Sequence, residues 1–338
     1  MKVTILIALL LSLPAPLRSQ ERKDDGKAAL TLLNVSYDPT RELYKQIGDR
    51  FARKQLAETG RVVAVNSSHG GSGAQTRAVL GGLKADVVTL ALSQDVDTLA
   101  DKGLLRPDWA SRFPNNSSPY TSTIIFVVRK GNPKRVKGWD DLVREDVSFV
   151  TPSPKTGGAS RLVFLAAWGH VTLNGGTEAQ ATDFIKRFYQ RVPVLDTGSR
   201  GSATTFLQKN IGDVLVTWEN EGLLASRELG KEVIELVYPA DTILAEPPVA
   251  VVDKNVDTNG TRGAAEAFLA YLYTEEAQEI VAAAGYRPSN PEVLGRHPET
   301  FPKIGRLYTV KEVAGSWRDA QKKFFADGAV FDQIYLTR

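Results

Sequence analysis

RVVAV (residues 61–65), NSSHGGSG (66–73) and AQTRAVLGGL (74–83) follow one another in this chain of 338 residues. The first segment is an apolar run typical of a strand, the second is a turn rich in Gly and Ser, and the third has the apolar spacing of an amphipathic helix. A strand, a turn and a helix in this order are the repeating unit of an α/β fold. The turn follows the carboxyl end of the strand, where open α/β sheets bind ligands.

Two more turns of the same kind each precede a predicted helix: KTGGAS at residues 155–160 and GSRGS at residues 198–202. None of the three turns contains a carboxylate. The first amides of a helix lack intrahelical partners, and the helix dipole favours negative charge there. Glycines leave the main chain open to a ligand, while Ser72 and Ser199 add hydroxyl donors. We therefore predict a pocket for a small oxyanion that all three turns share.

Apolar runs alternate with helical ones along the chain, which predicts two doubly wound α/β lobes joined by two crossing segments. The run at residues 121–129 leads into the second unit, and the run at 249–252 leads back. We predict lobe I at residues 28–122 plus 246–338, lobe II at 123–245, and a cleft between them.

The composition excludes several classes of function. The chain has no cysteine, so disulfides and thiol catalysis are excluded. Its histidines (His69, His170 and His297) show no paired-ligand spacing, so we predict neither a metal site nor a cofactor. Lys plus Arg is 42 and Asp plus Glu is 39, a balance too even to indicate nucleic-acid binding.

The N-terminus has the pattern of a secretory signal peptide. Met1-Lys2 is followed by an apolar run at residues 3–13 and then by Pro14 and Pro16. About eleven apolar residues are too few to span a bilayer. We predict that residues 1–19 are a cleaved signal peptide and that the mature protein is periplasmic.

Three residues outside the glycines are candidates for supporting the pocket. Trp218 ends a predicted strand, and its indole N–H can donate but not accept. Arg200, in the third turn, is interpreted as bracing that loop. Asp38 is expected to cap the first helix and to organise the loop before it.

The chain resembles the periplasmic sulfate-binding protein family, the solute receptors of sulfate/thiosulfate ABC importers. The matching motifs lie at residues 34–43, 68–73, 119–123, 129–134, 212–215, 218–220 and 243–247. The resemblance implies a two-lobed type II periplasmic-binding fold that closes on one dehydrated sulfate. It also implies delivery of sulfate or thiosulfate to membrane permease subunits, and we expect a monomer. The ligand-binding residues that we predict are Ser72, Gly73, Gly157, Gly158, Ala159, Ser199 and Trp218, supported by Asp38, His69, Thr156, Ser160 and Arg200.

The second turn departs from the family pattern. The family commonly reads Lys-Thr/Ser-Ser-Gly-Gly-Ala-Arg, whereas this chain reads KTGGASR at residues 155–161. Gly157 therefore replaces a sulfate-binding serine, and Ala159 replaces a glycine. The hydroxyls of Thr156 and Ser160 are the candidates to replace the lost donor. Sulfate, thiosulfate, molybdate and phosphate remain open as ligands on this evidence.

Two other classes of function are weaker alternatives. A serine hydrolase would use Ser72 as nucleophile, because residues 70–74 approximate a nucleophile elbow, with His170 or His297 as base. The order of these segments does not fit a triad, so no enzyme is predicted. A secreted adhesion protein could be argued from Asn-x-Ser/Thr triplets, but such triplets also arise by chance.

Overall fold

The computed structural model describes residues 29–230 and 232–336, and the predicted signal peptide lies outside them. The strands are β1 (Leu30–Tyr37), β2 (Val63–Gly70), β3 (Val87–Thr89), β4 (Tyr120–Arg129), β5 (Phe149–Pro152), β6 (Leu195–Asp196), β7 (Val214–Trp218), β8 (Ile234–Val237), β9 (Asp241–Ala245), β10 (Val249–Val251), β11 (Arg287–Pro288) and β12 (Arg306–Tyr308). The helices are α1 (Arg41–Thr59), α2 (Ser72–Leu80), α3 (Ser93–Asp101), α4 (Pro114–Ser117), α5 (Gly158–Thr172), α6 (Glu178–Gln190), α7 (Ser199–Leu207), α8 (Glu219–Leu229), α9 (Asp253–Asn259), α10 (Arg262–Tyr271), α11 (Glu275–Ala283), α12 (Pro291–Gly295), α13 (Val310–Ala314), α14 (Trp317–Ala320) and α15 (Val330–Leu336).

The strands form two sheets, around which the two lobes are built. In lobe I the order is β10-β3-β1-β2, with β1, β2 and β3 parallel and β10 antiparallel. In lobe II, β6, β5 and β7 are parallel, and β4 lies antiparallel beside β7. Each sheet therefore contains three parallel strands beside one of opposite direction, and the second sheet also includes β8, β9, β11 and β12. This arrangement confirms the prediction of an α/β fold.

Two segments that connect the lobes lie side by side. Ser122 and Thr123 of β4 pair with Ala245 and Leu244 of β9. The Thr123 hydroxyl donates to the Ile243 carbonyl at 2.8 Å, and the side chains of Thr123 and Thr242 are buried. The crossings are thus joined by backbone and side-chain hydrogen bonds.

The end of the chain packs on lobe II. Strand β12 pairs in parallel with β9, and Phe324 packs against Phe164 and Trp168 of α5, with ring centroids 5.2 and 4.8 Å apart. Arg318 of the same segment pairs with Asp101 of α3 at 2.8 Å. The assignment of residues 246–338 to lobe I stays a prediction. The apolar periodicity does not indicate which lobe this segment contacts, because short helices rich in Phe are equally compatible with either lobe.

At the predicted turns, the helices begin earlier in the structure than the sequence predicted. The periodicity predicted helices from residues 74, 161 and 203, whereas α2, α5 and α7 begin at Ser72, Gly158 and Ser199. The reason is that glycine itself serves as the N-cap residue, so the helix begins inside the turn. Within the described residues, no helix combines the length and apolar character that a membrane span requires.

Candidate functional site

A cavity of about 200 Å³ lies between the lobes, at the carboxyl ends of the parallel strands. Its walls are formed by Tyr37, Asp38, Pro39, Gly71, Ser72, Ala91, Gly157, Gly158, Ala159, Thr197, Gly198 and Ser199. The walls include residues of all three predicted turns, so the structure brings the turns together at one place. The lining contains no Lys, Arg or His.

The three helices that begin at the cavity share a glycine N-cap. Gly71, Gly157 and Gly198 are their N-cap residues, and no side chain caps any of the three. Side chains cap α6, α11, α12, α13 and α14, whereas α1, α3, α4, α8, α9 and α10 also lack a side-chain cap but have no glycine there. The helix starts at the cavity therefore keep backbone N–H groups free, and their dipoles make that end positive.

The first turn joins β2 to α2. The first bond inside this helix runs from the Gln75 amide to the Gly71 carbonyl at 2.9 Å, so earlier amides lack intrahelical partners. The Ser72 hydroxyl accepts from the Ala91 amide at 3.0 Å and donates to Asp95. Burial raises the pKa of Asp95, although the Ser72 bond opposes this shift. Ser72 thus uses its hydroxyl within lobe I, contrary to the expectation of a hydroxyl donor in the pocket.

The second turn precedes α5. The Gly157 amide donates to the Ser153 carbonyl at 3.0 Å, so it is not one of the free donors. No acceptor for the amides of Gly158 and Ala159 occurs among the described residues. The Ser160 hydroxyl is buried and donates to main-chain carbonyls of the turn. Neither this hydroxyl nor that of exposed Thr156 lies on the cavity wall, which corrects their expected role as replacement donors.

The third turn precedes α7. Here the Ser202 amide donates to the Gly198 carbonyl at 3.1 Å, and Ser199 lines the cavity with 9% of its surface exposed. Arg200 does not line the cavity and donates to Glu42 of α1 at 3.0 Å. This ion pair links lobe II to lobe I, whereas the interpretation that Arg200 braces its own loop stays a prediction.

Three predicted residues have contacts that differ from expectation. Trp218 does not line the cavity: its indole N–H donates to the Ala159 carbonyl at 3.3 Å. Asp38 lines the cavity but caps no helix, because its carboxylate accepts from Arg41 at 2.6 and 3.0 Å. The carbonyl of His69 accepts from Arg41 as well, and His69 itself lies off the wall. Gly73 also lies outside the lining.

The cavity wall includes residues that the sequence reasoning did not select. Tyr37 ends β1, Ala91 follows β3, and Thr197 follows β6. All three lie at or just beyond a strand's carboxyl end. The rule that open α/β sheets bind ligands at that edge would have identified them, although they carry no glycine signature.

Glycine allows the lobes to approach closely at the second turn. A Cβ on Gly158 would lie 3.3 Å from Leu92 Cγ and 3.4 Å from Ala91 Cβ. A Cβ on Gly71 would lie 3.7 Å from the Thr156 carbonyl oxygen. Since these contacts join opposite sides of the cleft, the first and second turns face each other across it.

A buried carboxyl lies behind this region. Glu221, near the start of α8, is 5% exposed, and its Oε1 has no hydrogen-bond partner among the described residues. Burial raises its pKa to about 7; nearby Arg200 lowers it, and Asp38 raises it further. A carboxyl with this pKa carries a proton for part of the time at neutral pH.

The hydrolase alternative lacks its base. His170 bonds to Asp241 at 3.0 Å, and His297 bonds to Glu279 at 2.8 Å. Among the described residues, no histidine is a hydrogen-bond partner of Ser72. The elbow-like sequence around Ser72 therefore lacks the nucleophile–base contact on which such enzymes depend.

Known proteins match this chain over most of its length. The profile of the family described as bacterial extracellular solute-binding protein matches residues 32–287. The protein named sulfate-binding protein from Escherichia coli strain K12 is 52% identical over 306 residues, covering 90% of this chain and 93% of the relative. The protein named thiosulfate-binding protein from Pseudomonas aeruginosa is 50% identical over 309 residues, covering 91% and 93%.

The fold agrees with these matches. The structure of the sulfate-binding protein SubI from Mycobacterium tuberculosis H37Rv has a TM-score of 0.78 to this chain and 32% identity, covering 88% of this chain and 99% of SubI. Together with the two sheets of mixed direction, this likeness establishes the two-lobed type II periplasmic-binding fold. The chain belongs to the family of bacterial extracellular solute-binding proteins.

Proposed function

We propose that this protein binds sulfate, or thiosulfate, in the cavity between its lobes and delivers it to the permease of an ABC importer. The observation that carries the proposal is the meeting of three helix N-termini, each with a glycine cap, at one cavity. The names of the relatives from Escherichia coli and Pseudomonas aeruginosa support sulfate and thiosulfate as the ligand class.

The chemistry of the wall suits a doubly ionised anion. The lining holds no cation, so backbone amides and helix dipoles would supply the compensating partial charge. Sulfate has no proton at neutral pH, so it accepts hydrogen bonds but donates none. We expect a buried ion of this kind to bind with little sensitivity to moderate salt, because surface screening does not reach it.

The proposed donors are main-chain groups rather than hydroxyls. We assign ligand contacts to the amides of Ser72, Gly158, Ala159 and Ser199, which lie on the cavity wall at the starts of their helices. The Gly73 amide, next to Ser72 in the first turn of α2, is proposed as a further donor although Gly73 itself lies off the wall. Gly157 supports these contacts by ending the preceding turn. Trp218 is proposed as a further donor, since its 3.3 Å bond to Ala159 is long enough to yield to a stronger acceptor.

The lobes themselves are proposed as follows. Lobe I comprises residues 29–122 and 246–305, and lobe II comprises residues 123–245 and 306–336. The pairing of β12 with β9 supports assigning the last segment to lobe II. Closure would then bend the paired crossings, β4 and β9, and bring the turns of both lobes onto one ion.

Calorimetric titration of the dialysed mature protein with sulfate, thiosulfate, molybdate and phosphate tests the proposal. We expect saturable binding of sulfate or thiosulfate at one site, and a rise in melting temperature with the ligand that binds. Chloride at the same ionic strength is the control. Binding of neither sulfur oxyanion would exclude the proposal.

One observation favours phosphate as the second candidate. Asp38 lies on the cavity wall, and Arg41 bonds only to its Oδ1, which leaves Oδ2 as an acceptor for a ligand proton. Hydrogen phosphate has such a proton, whereas sulfate does not. If phosphate binds best in the wild type and Asp38→Asn abolishes that preference, the phosphate assignment replaces sulfate.

We also propose that the protein acts outside the cytoplasm, as a monomer and without catalytic activity. Stimulation of the importer's ATP hydrolysis by ligand-loaded protein, but not by ligand-free protein, would support delivery. Hydrolysis of a chromogenic ester that Ser72→Ala removes would contradict the absence of catalysis.

A further inference from the structure

The second turn contains a hydroxyl that faces inward rather than toward the cavity. Ser160 is fully buried, and its Oγ lies 2.7 Å from the Ser153 carbonyl oxygen and 2.7 Å from the Gly157 carbonyl oxygen. One hydroxyl proton serves both acceptors in turn. This side chain therefore joins the first turn of α5 to the loop that precedes it.

The Ser153 carbonyl collects several donors of the same loop. It accepts from the Thr156 amide at 3.2 Å, from the Gly157 amide at 3.0 Å and from the Ser160 hydroxyl. These bonds turn the amides before the helix back into the loop. As a result, the free amides of the turn begin at Gly158, which lies on the cavity wall.

Glycine is needed at position 157 because of space. Gly157 has φ −113° and ψ 131°, a conformation open to any residue, so backbone strain does not require it. A Cβ there would lie 2.9 Å from Ser160 Oγ, which is closer than real Cβ contacts allow. A side chain at position 157 therefore requires the Ser160 hydroxyl to move, which would disturb its bonds to the Ser153 and Gly157 carbonyls.

We propose that Ser160 is a positioning residue of the anion site and that Gly157 leaves the space that its hydroxyl occupies. Ser160 fixes the loop so that the Gly158 and Ala159 amides are presented to the ligand. The space beside Gly157 Cα is filled from within the loop instead of by a ligand-facing side chain. For its binding readout this proposal rests on the proposed function.

Five proteins test the coupling: the wild type, Ser160→Ala, Gly157→Ser, the double variant with both changes, and Thr172→Ala as matched control. The Thr172 hydroxyl, at the other end of α5, also donates to a main-chain carbonyl, at 3.2 Å. NMR hydrogen exchange at the Thr156 and Gly157 amides of the ligand-free protein reports the loop. Calorimetry with sulfate and with thiosulfate reports the site.

We expect Ser160→Ala to speed exchange at both amides and to weaken anion binding by about threefold to tenfold, the effect of one lost hydrogen bond. Gly157→Ser should weaken binding further because its Cβ meets Ser160 Oγ. The double variant should bind no more weakly than Ser160→Ala alone, since removal of the Ser160 hydroxyl removes the steric conflict of the side chain at position 157. Thr172→Ala should change neither measurement.

Unchanged exchange and affinity in Ser160→Ala would overturn the positioning role. Losses that multiply in the double variant would overturn the spatial coupling. If the wild type binds neither anion, the proposed function fails by itself, and hydrogen exchange in the ligand-free proteins still decides the role of Ser160.

Discussion

The two adjacent glycines of the second turn have different physical roles. Gly157 makes room for a buried hydroxyl, whereas Gly158 allows the lobes to approach each other. The sequence showed that small residues were needed but not which neighbour excluded a side chain. The neighbour of Gly157 is Ser160, which is close in sequence, whereas the neighbour of Gly158 is Leu92, which is distant in sequence.

A methyl group at position 158 should hinder the approach of the lobes. In Gly158→Ala it would meet Leu92 and Ala91 at 3.3 to 3.4 Å. We expect an overpacking cost of about 1 kcal/mol or more in ligand affinity, measured by calorimetry. Gly263→Ala is the control, because a Cβ there meets no atom within 4 Å. Equal affinities of the two variants would show that this contact does not limit binding.

The buried carboxyl of Glu221 should make stability depend on pH. Burial raises its pKa from 4.5 to about 7, so between these values the folded protein keeps a proton that the unfolded chain releases. The contribution of the Glu221 carboxyl to the free energy of unfolding is fully present below pH 4.5 and falls as the pH rises to 7. We expect the free energy of unfolding of Glu221→Gln, relative to the wild type, to increase by about 3 kcal/mol across this range. Urea unfolding of both proteins at the two ends of the range measures it. A constant difference would contradict the assigned pKa.

Among the elements, the helix starts carry most of the site. The sequence predicted the three turns correctly as a group, because Gly and Ser patterns are local. It did not predict which donors were free. The Ser72 hydroxyl is used by Asp95 and Ala91, and the Trp218 indole by Ala159; these partners are distant in sequence. Such tertiary hydrogen bonds have no signature in a single segment.

The ion pair between α1 and α7 should contribute modestly to lobe closure. Glu42 and Arg200 are half-exposed and 3.0 Å apart. In a double-mutant cycle with Glu42→Gln and Arg200→Gln, we expect a coupling of about 0.2–1 kcal/mol in anion affinity at low salt. Higher salt should diminish it, because exposed charges are screened. A second exposed ion pair, Lys45 and Asp49 at 2.9 Å, lies within α1 and does not join the lobes, so it serves as the control cycle. Zero coupling at low salt would show that the link does not act on closure.

At the scale of the whole molecule, the chain's last segment packs against α5 and the second turn. Phe324 is fully buried against α5, and Lys155 of the second turn donates to Asp332 at 2.8 Å. The α/β alternation predicted two lobes because it repeats many times. It could not assign residues beyond the last clear repeat, where aromatic side chains rather than periodicity determine the packing.

Removal of one aromatic ring from this segment should therefore destabilise the protein strongly. We expect Phe324→Ala to lower the free energy of unfolding by about 3–5 kcal/mol, as for other buried Phe residues. Leu307→Ala changes a side chain that is 36% exposed in the same segment, and a much smaller loss is expected there. Urea unfolding of both variants provides the comparison. A loss below about 1 kcal/mol for Phe324→Ala would mean that the segment is peripheral.

The path of the chain between the lobes also constrains the order of folding during synthesis. Strand β10, which completes the sheet of lobe I, ends at Val251, and Phe331, which packs on Tyr189 of lobe II, lies still later. A ribosome makes the N-terminal residues first. Neither lobe can complete its native packing before these late segments have been synthesised, so the native state of the protein forms only late in translation.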